Sequence, residues 1–269
     1  MKLSVITINY NNASGLQRTI ESVISQGYTD MEYIVIDGGS TDRSVEIIKN
    51  NESYISKWIS EKDTGIYNAL NKGIKMATGD YLLFLNSGDH FYTNDVLVKN
   101  NQYLTDYDLV AFDIHVYGQG YDQIKAHPNK PKFSFLFEDT FAHQSVLIKR
   151  ELFDNVGLYD ETLKIVADWK FFIHAIIFHK ASYLAVHEVL STYYLDGISS
   201  GGEGSLIRDQ ERKNVLSNEF SFFYDDYVNA EQNKNLLNMN RFKMLQQLEQ
   251  SNIGRKISSM ILRILTKIV

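Results

Sequence analysis

Along the first ninety residues, short apolar runs alternate with stretches whose apolar positions recur three and four apart. Leu3-Ser4-Val5-Ile6-Thr7-Ile8 reads as a buried strand. Behind it, Ser14 and Gln17 read as a capping box, and Leu16, Ile20, Val23 and Ile24 share a helical face until Gly27 stops the run. The order then repeats. Tyr33-Ile34-Val35-Ile36 predicts a second strand ending in Asp37, residues 38–42 a turn, and Val45, Ile47 and Ile48 the apolar positions of a helix. A shorter strand is expected near Trp58-Ile59, then a helix in which Ile66, Leu70, Ile74 and Ala77 lie together, ended by Gly79. Tyr81-Leu82-Leu83-Phe84-Leu85 is almost continuously apolar, as in a strand covered on both faces. Strands alternating with helices predict βαβ units and a mostly parallel sheet.

A chain of 269 residues with 44% hydrophobic content suffices for one sizeable core, or one domain with a smaller appendage. Its formal net charge of -6 argues against nucleic acid as a partner and for an acidic enzyme or binding protein. There is no cysteine, so any metal is left to oxygen and imidazole ligands. The apolar opening is too short for a secretory signal, and no uninterrupted apolar run has transmembrane length; the expected compartment is the cytoplasm.

Three polar clusters fall where strands end: residues 9–12, residues 37–42 and Asn86-Ser87-Gly88-Asp89. Ligands of open α/β sheets bind beyond the carboxyl ends of the strands, so the three predict one shared pocket. A Gly-x-Gly-x-x-Gly dinucleotide fingerprint is missing after the first strand, where Asn9-Tyr10-Asn11-Asn12 stands, and the same place lacks the basic phosphate loop of a sugar-nucleotide pyrophosphorylase.

Residues 1–200 resemble the inverting family 2 glycosyltransferases of the GT-A fold. The resemblance rests on residues 5–11, on Ile34-Val35-Ile36-Asp37-Gly38-Gly39-Ser40-Thr41-Asp42, on residues 63–73, on Leu85-Asn86-Ser87-Gly88-Asp89, on His143-Gln144-Ser145, on residues 157–161 and on Ala167-Asp168-Trp169, in that order. It implies an α/β domain with a mostly parallel central sheet flanked by helices. It also implies a nucleotide-diphosphate sugar as donor, UDP-linked by preference and GDP- or dTDP-linked as alternatives. The donor site it implies comprises Ile8, Asn9, Tyr10, Asp37, Gly38, Asp63, Tyr67, Lys72, Asn86 and Ser87, with Asp37 accepting hydrogen bonds from base or ribose. His143, Gln144 and Trp169 fall on the acceptor side, and the acceptor implied is a saccharide or lipid-linked saccharide of a bacterial surface polysaccharide. The Gln-x-x-Arg-Trp motif of processive synthases is missing, so transfer of a single sugar is expected.

The chemistry requires some of these residue types. A departing diphosphate calls for a hard divalent cation, manganese or magnesium, on oxygen ligands, and Asp89 is the carboxylate assigned to it. Many family members carry aspartate where this chain has Asn86 and Gly88, so Asp89 stands alone there. Inversion needs a base for the acceptor hydroxyl, and Asp168, near the start of a helix carrying Phe171, Phe172, Ala175 and Ile176, is the candidate. Lys72 serves the diphosphate or a solvated helix face. His143 touches acceptor or metal, or is structural; Tyr67 and Trp169 are pocket walls or core. A catalytically inactive nucleotide-sugar-binding partner of another transferase is the alternative function.

From residue 201 to 269 a helical extension is expected, entered through a mobile linker, Gly201-Gly202-Glu203-Gly204. Ile253, Ile257, Met260, Ile261, Ile264, Leu265 and Ile268 form one apolar helical face, with Arg255, Lys256, Arg263 and Lys267 elsewhere around it. Such a helix suits an anionic membrane surface, which would place the protein peripherally on the inner face of the cell membrane; docking on the domain or on a second copy competes.

Overall fold

A computed structural model describes residues 1–104, 106–195 and 202–267. Gly201 and Ile268 lie outside them, as does the expected domain boundary at residue 200. The first strand, β1 (Leu3–Asn9), pairs in parallel with β2 (Met31–Asp37) on one edge and β4 (Tyr81–Phe84) on the other. β2 is extended by the parallel strand β3 (Lys57–Ser60). Crossovers are made by α1 (Ala13–Ile24), α2 (Ser44–Asn50) and α3 (Ile66–Met76). This is the parallel half that the alternating pattern predicts.

Beyond β4 the sheet turns mixed. β8 (Val146–Lys149) runs antiparallel to β4 and to β6 (Leu109–Gly118), which is parallel to β9 (Tyr183–Tyr194). The two-residue β5 (His90–Phe91) lies antiparallel on β9, and β7 (Tyr121–Lys125) forms a hairpin with β6. The order is β3-β2-β1-β4-β8-β6-β9-β5. One face carries the apolar stripe of α1: Leu16, Ile20 and Val23 are buried with Val5, Val35, Leu83 and Phe112. On the other, α3 lies so close that a Cβ on Gly73 would stand 2.4 Å from Ile6 Cγ2, which restricts the position to glycine. α7 (Ala167–Ile177) buries Trp169, Phe171 and Phe172, with Phe171 stacked on Phe153 at 4.4 Å.

Two expectations are corrected. The cap of α1 is Asn12, whose Oδ1 accepts from Gly15 N at 3.1 Å, so the helix begins before the expected capping box at Ser14 and Gln17. Gly202, Glu203 and Gly204, expected in a mobile linker, open the helix α8 (Gly202–Glu219).

The chain divides into two compact units, Met1–Glu211 and Arg212–Val269. The second is helical, with α9 (Ser221–Asn238), α10 (Asn240–Glu249) and α11 (Asn252–Leu265). α11 turns its small residues to the end of α10: Gly254 has no room for a Cβ beside Leu248 O, and Ser258 Oγ donates to Glu249 at 3.0 Å. Its apolar stripe from Ile253 to Leu265 is exposed. Among the described residues no helix is long and apolar enough to cross a membrane.

At the edge opposite the polar clusters, the buried Glu32 carboxylate ties three chain segments together. It accepts from Ser4 Oγ at 2.6 Å, Lys2 Nζ at 3.2 Å, Thr78 Oγ1 at 2.9 Å and the backbone N–H groups of Thr78 and Gly79. Burial opposes its charge, but the bonds from Ser4, Thr78 and Lys2 prevail and lower its pKa from 4.5 to about 2. A depressed carboxylate stabilises the fold fully above its unfolded pKa, and that contribution fades as pH falls from 4.5 through about 2. Glu32→Gln should cost about 1–3 kcal/mol in urea unfolding at neutral pH and much less near pH 2; an equal cost at both pH values would refute the assignment.

Candidate active site

Because β1, β2 and β4 run in parallel and in register, Asn9, Asp37 and Asn86 emerge at one edge of the sheet. Asp37 is fully buried there, and each of its oxygens accepts twice: Oδ1 from Asn9 Nδ2 (2.8 Å) and Ser40 Oγ (2.6 Å), Oδ2 from Ser40 N (3.0 Å) and Ser60 Oγ (2.6 Å). Burial works against its charge, and these donors lower its pKa regardless. With its lone-pair directions filled by these donors, Asp37 organises the loop that follows β2. Asp63 stands beside this loop, its side chain 11% exposed and paired with Lys72. A Cβ on Gly38 would lie 3.0 Å from Asp63 Oδ2 and 3.3 Å from the exposed Tyr10 ring, so the three form one floor.

Lys72, expected at the diphosphate, gives its ammonium to Asp63 (2.6 Å) and Glu61 (2.7 Å). Burial lowers its pKa, but these two carboxylates raise it by more, so it stays charged and neutralised in place. Ile8 contributes its carbonyl to Ser87 N at 3.0 Å, and Ser87 exchanges bonds with Asn12. Two buried side-chain oxygens at this edge, Asn9 Oδ1 and Asn86 Oδ1, have no hydrogen-bond partner. Unsatisfied buried acceptors are rare and mark a place for a donor or cation from outside the chain.

Gly88 has φ +112, a conformation that side-chain-bearing residues resist, and this turn carries Asp89 inward. The buried Asp89 accepts from Gln144 Nε2 at 3.3 Å and Tyr194 N at 3.4 Å. Among the described residues no three His, Asp or Glu gather as a metal cluster. The chain therefore offers one carboxylate and one amide oxygen here, a hard but incomplete donor set.

Asp168 stands in the first turn of α7, partly buried with its side chain 14% exposed, and two side chains converge on it. His143 Nδ1 lies 2.8 Å from Oδ2, while His143 Nε2 lies 3.2 Å from Asn86 Nδ2. With Nδ1–H donating to the carboxylate, Nε2 accepts from the amide, giving a line Asn86–His143–Asp168. Tyr67 Oη lies 3.0 Å from Oδ1 and 2.5 Å from Ile165 O, so its single proton is shared between them. Burial pushes the Asp168 pKa up, but the hydrogen bond from His143, joined by those from Trp169 N–H and Tyr67, outweighs it and holds the carboxyl below its usual range. Burial and the neighbouring Asp168 charge drive the Tyr67 phenol well above its ordinary value. Trp169, expected on the acceptor side, is instead core: it is buried and donates Nε1–H to Leu136 O at 2.5 Å.

Glu211 of α8 joins this site although nothing in the sequence singles it out. Its carboxylate accepts from the N–H groups of Lys164 (2.7 Å), Ile165 (3.0 Å) and Val166 (3.3 Å). Val166 caps α7 without a side-chain bond of its own, and Glu211, from another helix, fixes the three residues that lead into α7. A glutamate on an exposed-looking helix carries no sequence signal for such a role.

The family described as Glycosyl transferase family 2 matches residues 4–165. An uncharacterised glycosyltransferase of Mycobacterium tuberculosis is 33% identical over 227 residues, covering 82% of this chain and 86% of the relative. A PGL/p-HBAD biosynthesis glycosyltransferase of Mycobacterium bovis is 28% identical over 220 residues, 77% and 81% of the two chains. Among solved structures, S. aureus TarS 1-349 in complex with UDP-GlcNAc has a TM-score of 0.62 at 20% identity, covering 76% of this chain but only 61% of its own. A Pyrobaculum calidifontis mannosyltransferase in complex with GDP-Man and Mn2+ has a TM-score of 0.56 at 15% identity, covering 96% and 83%. These two support the fold.

Two outcomes follow from the geometry. Glu211→Ala should lower kcat about tenfold or more while donor affinity stays unchanged, since three N–H groups beside Asp168 lose their acceptor; equal kcat in steady-state assays would remove Glu211 from the site. In His143→Ala, burial of Asp168 loses its main opponent, so the acid limb of the kcat profile should move to higher pH. An unmoved limb would show that Asp168 is not the group titrating.

Proposed function

The chain belongs to the family 2 glycosyltransferases, and we propose that it inverts the anomeric carbon of a nucleotide-diphosphate sugar while joining that single sugar to an acceptor hydroxyl. The observation that carries this is the partly buried Asp168 carboxylate, held by His143 and Tyr67 beside the strand ends that bear two unpartnered oxygens. The acceptor oxygen attacks the anomeric carbon as the bond to the diphosphate breaks on the opposite face, and its proton passes to Asp168. His143, oriented by Asn86, keeps the carboxylate charged until that moment. Tyr67 fixes the second oxygen and so the direction of the receiving lone pair.

The donor lies against Tyr10, Gly38 and Asp63, with Asn9, Asn86 and Ser87 toward its sugar and phosphates. A UDP-sugar is favoured, in line with the UDP-GlcNAc complex of TarS; the GDP-Man complex of the archaeal mannosyltransferase supports a GDP-sugar as the alternative. Asp89 would hold a manganese or magnesium ion, with Asn86 Oδ1 as a further oxygen donor and diphosphate and water oxygens completing the shell. When bound it offsets the charge that develops on the leaving diphosphate.

The acceptor is a saccharide or lipid-linked saccharide in surface-polysaccharide assembly, reached at the inner face of the cell membrane. α11 supports the membrane reading: Ile253, Ile257, Met260, Ile261, Ile264 and Leu265 are exposed on it. Residues 212–269 hold nine lysines and arginines against five acidic residues, in a chain whose net charge is -6.

Asp168→Asn should lower kcat by about 10²–10⁴ and leave donor binding intact; turnover at the native rate would sink the mechanism. A nucleotide sugar at about a hundred times its Kd should stabilise the protein by about 2.7 kcal/mol in thermal unfolding, and a shift that appears only with manganese would support the cation at Asp89. Removing residues 253–269 should abolish co-sedimentation with vesicles containing phosphatidylglycerol, while undiminished sedimentation would locate membrane binding elsewhere.

A further inference from the structure

On the α1 face of the sheet, beyond Asp89, five side-chain rings follow one another in an arc. Tyr92 meets His115 at 5.5 Å between centroids, His115 meets Tyr117 at 6.0 Å, Tyr117 meets Tyr194 at 5.7 Å and Tyr194 meets His90 at 5.7 Å. Four of the rings come from three strands, and Tyr92 directly follows β5. Residues 115 and 117 of β6 lie in register with residues 192 and 194 of β9. His90, on β5, pairs with Thr192.

The arc is held rigid. His115 Nδ1 lies 3.1 Å from Thr192 Oγ1 and its Nε2 2.8 Å from Asp122 Oδ1. His90 Nε2 lies 3.2 Å from Tyr194 Oη, and the Arg18 guanidinium sits 4.5 Å above the Tyr194 ring. Despite this order, Tyr92 is 43% and Tyr117 47% exposed. The Asp122 carboxylate beside them is 71% exposed and retains lone pairs for further donors. A rigid stripe of half-exposed aromatic faces edged by imidazole, phenol and carboxylate groups is amphipathic in the way a pyranose is. Such rings cover the C–H faces of sugars, and the polar edges meet the hydroxyls, at little cost in side-chain entropy. One end of the arc is tied to the active site: Tyr194 N–H donates to Asp89, and His90 follows Asp89 in the chain.

We propose that this arc is a carbohydrate subsite that holds sugar units of the acceptor beyond the one that reacts, so that the enzyme favours an oligosaccharide over a monosaccharide acceptor. It rests on the transferase reading only for the word acceptor; carbohydrate binding itself is tested without turnover. Saturation-transfer NMR and titration with chitotetraose, cellotetraose and maltotetraose, each against its monosaccharide, use the full-length protein. At least one tetrasaccharide should bind about tenfold or more tightly than its monosaccharide. Tyr117→Ala and Tyr92→Ala should each weaken it about tenfold, while Tyr117→Phe and Tyr92→Phe, which keep the ring, retain most of the affinity. Donor hydrolysis without acceptor should be unchanged in all four variants. Tetrasaccharides that bind no better than monosaccharides, alanine variants that bind like the native protein, or a change of oligomeric state in those variants would overturn the proposal. Failure of the transferase reading would appear separately, as native protein that does not hydrolyse any donor.

Discussion

β1 is buried on both faces and hydrogen-bonded on both edges, to β2 and to β4, and its register decides where three loops leave the sheet. A shift of one residue would exchange the side chains of the two buried faces, taking Val5 from the α1 side and Ile6 from its close fit against Gly73. The two-sided burial therefore does more than stabilise. It brings Asn9, Asp37 and Asn86 to one edge within a few side-chain lengths, and it does so rigidly enough that buried oxygens there are left for a ligand to satisfy.

Two buried carboxylates and a third that is partly buried show how the cost of desolvation is met in different ways. Glu32 and Asp37 are surrounded by donors on every side, and their low pKa values reflect bonds that hold chain segments together. Asp168 has fewer donors and keeps its charge chiefly through one imidazole, which can itself give or take a proton. That difference separates a structural acid from one able to exchange a proton with substrate.

Departures from the usual acidic motif are compensated within the same loop. Asn86 takes the place of a carboxylate, and its amide group donates to His143 while its oxygen stays open. Gly88 takes the place of another and allows a positive φ that directs Asp89 toward Gln144 and Tyr194.

The sequence by itself determined the alternation of strands and helices, the parallel half of the sheet, the order of the loops and the family. Those features are local: apolar period reports which face of an element is buried, and each motif is contiguous. Tertiary structure decided which atoms meet. His143 joins Asp168 across 25 residues and Asn86 across 57, and Tyr67 reaches Asp168 across 101. Neither the full satisfaction of Asp37 nor the burial of Trp169 could be read from their neighbours in the chain, because solvent access at a strand end or on a helix depends on what other segments cover it. Glu211 illustrates the limit most plainly. Its partners are backbone N–H groups, which every residue but proline carries, so no pattern of side chains could have announced it.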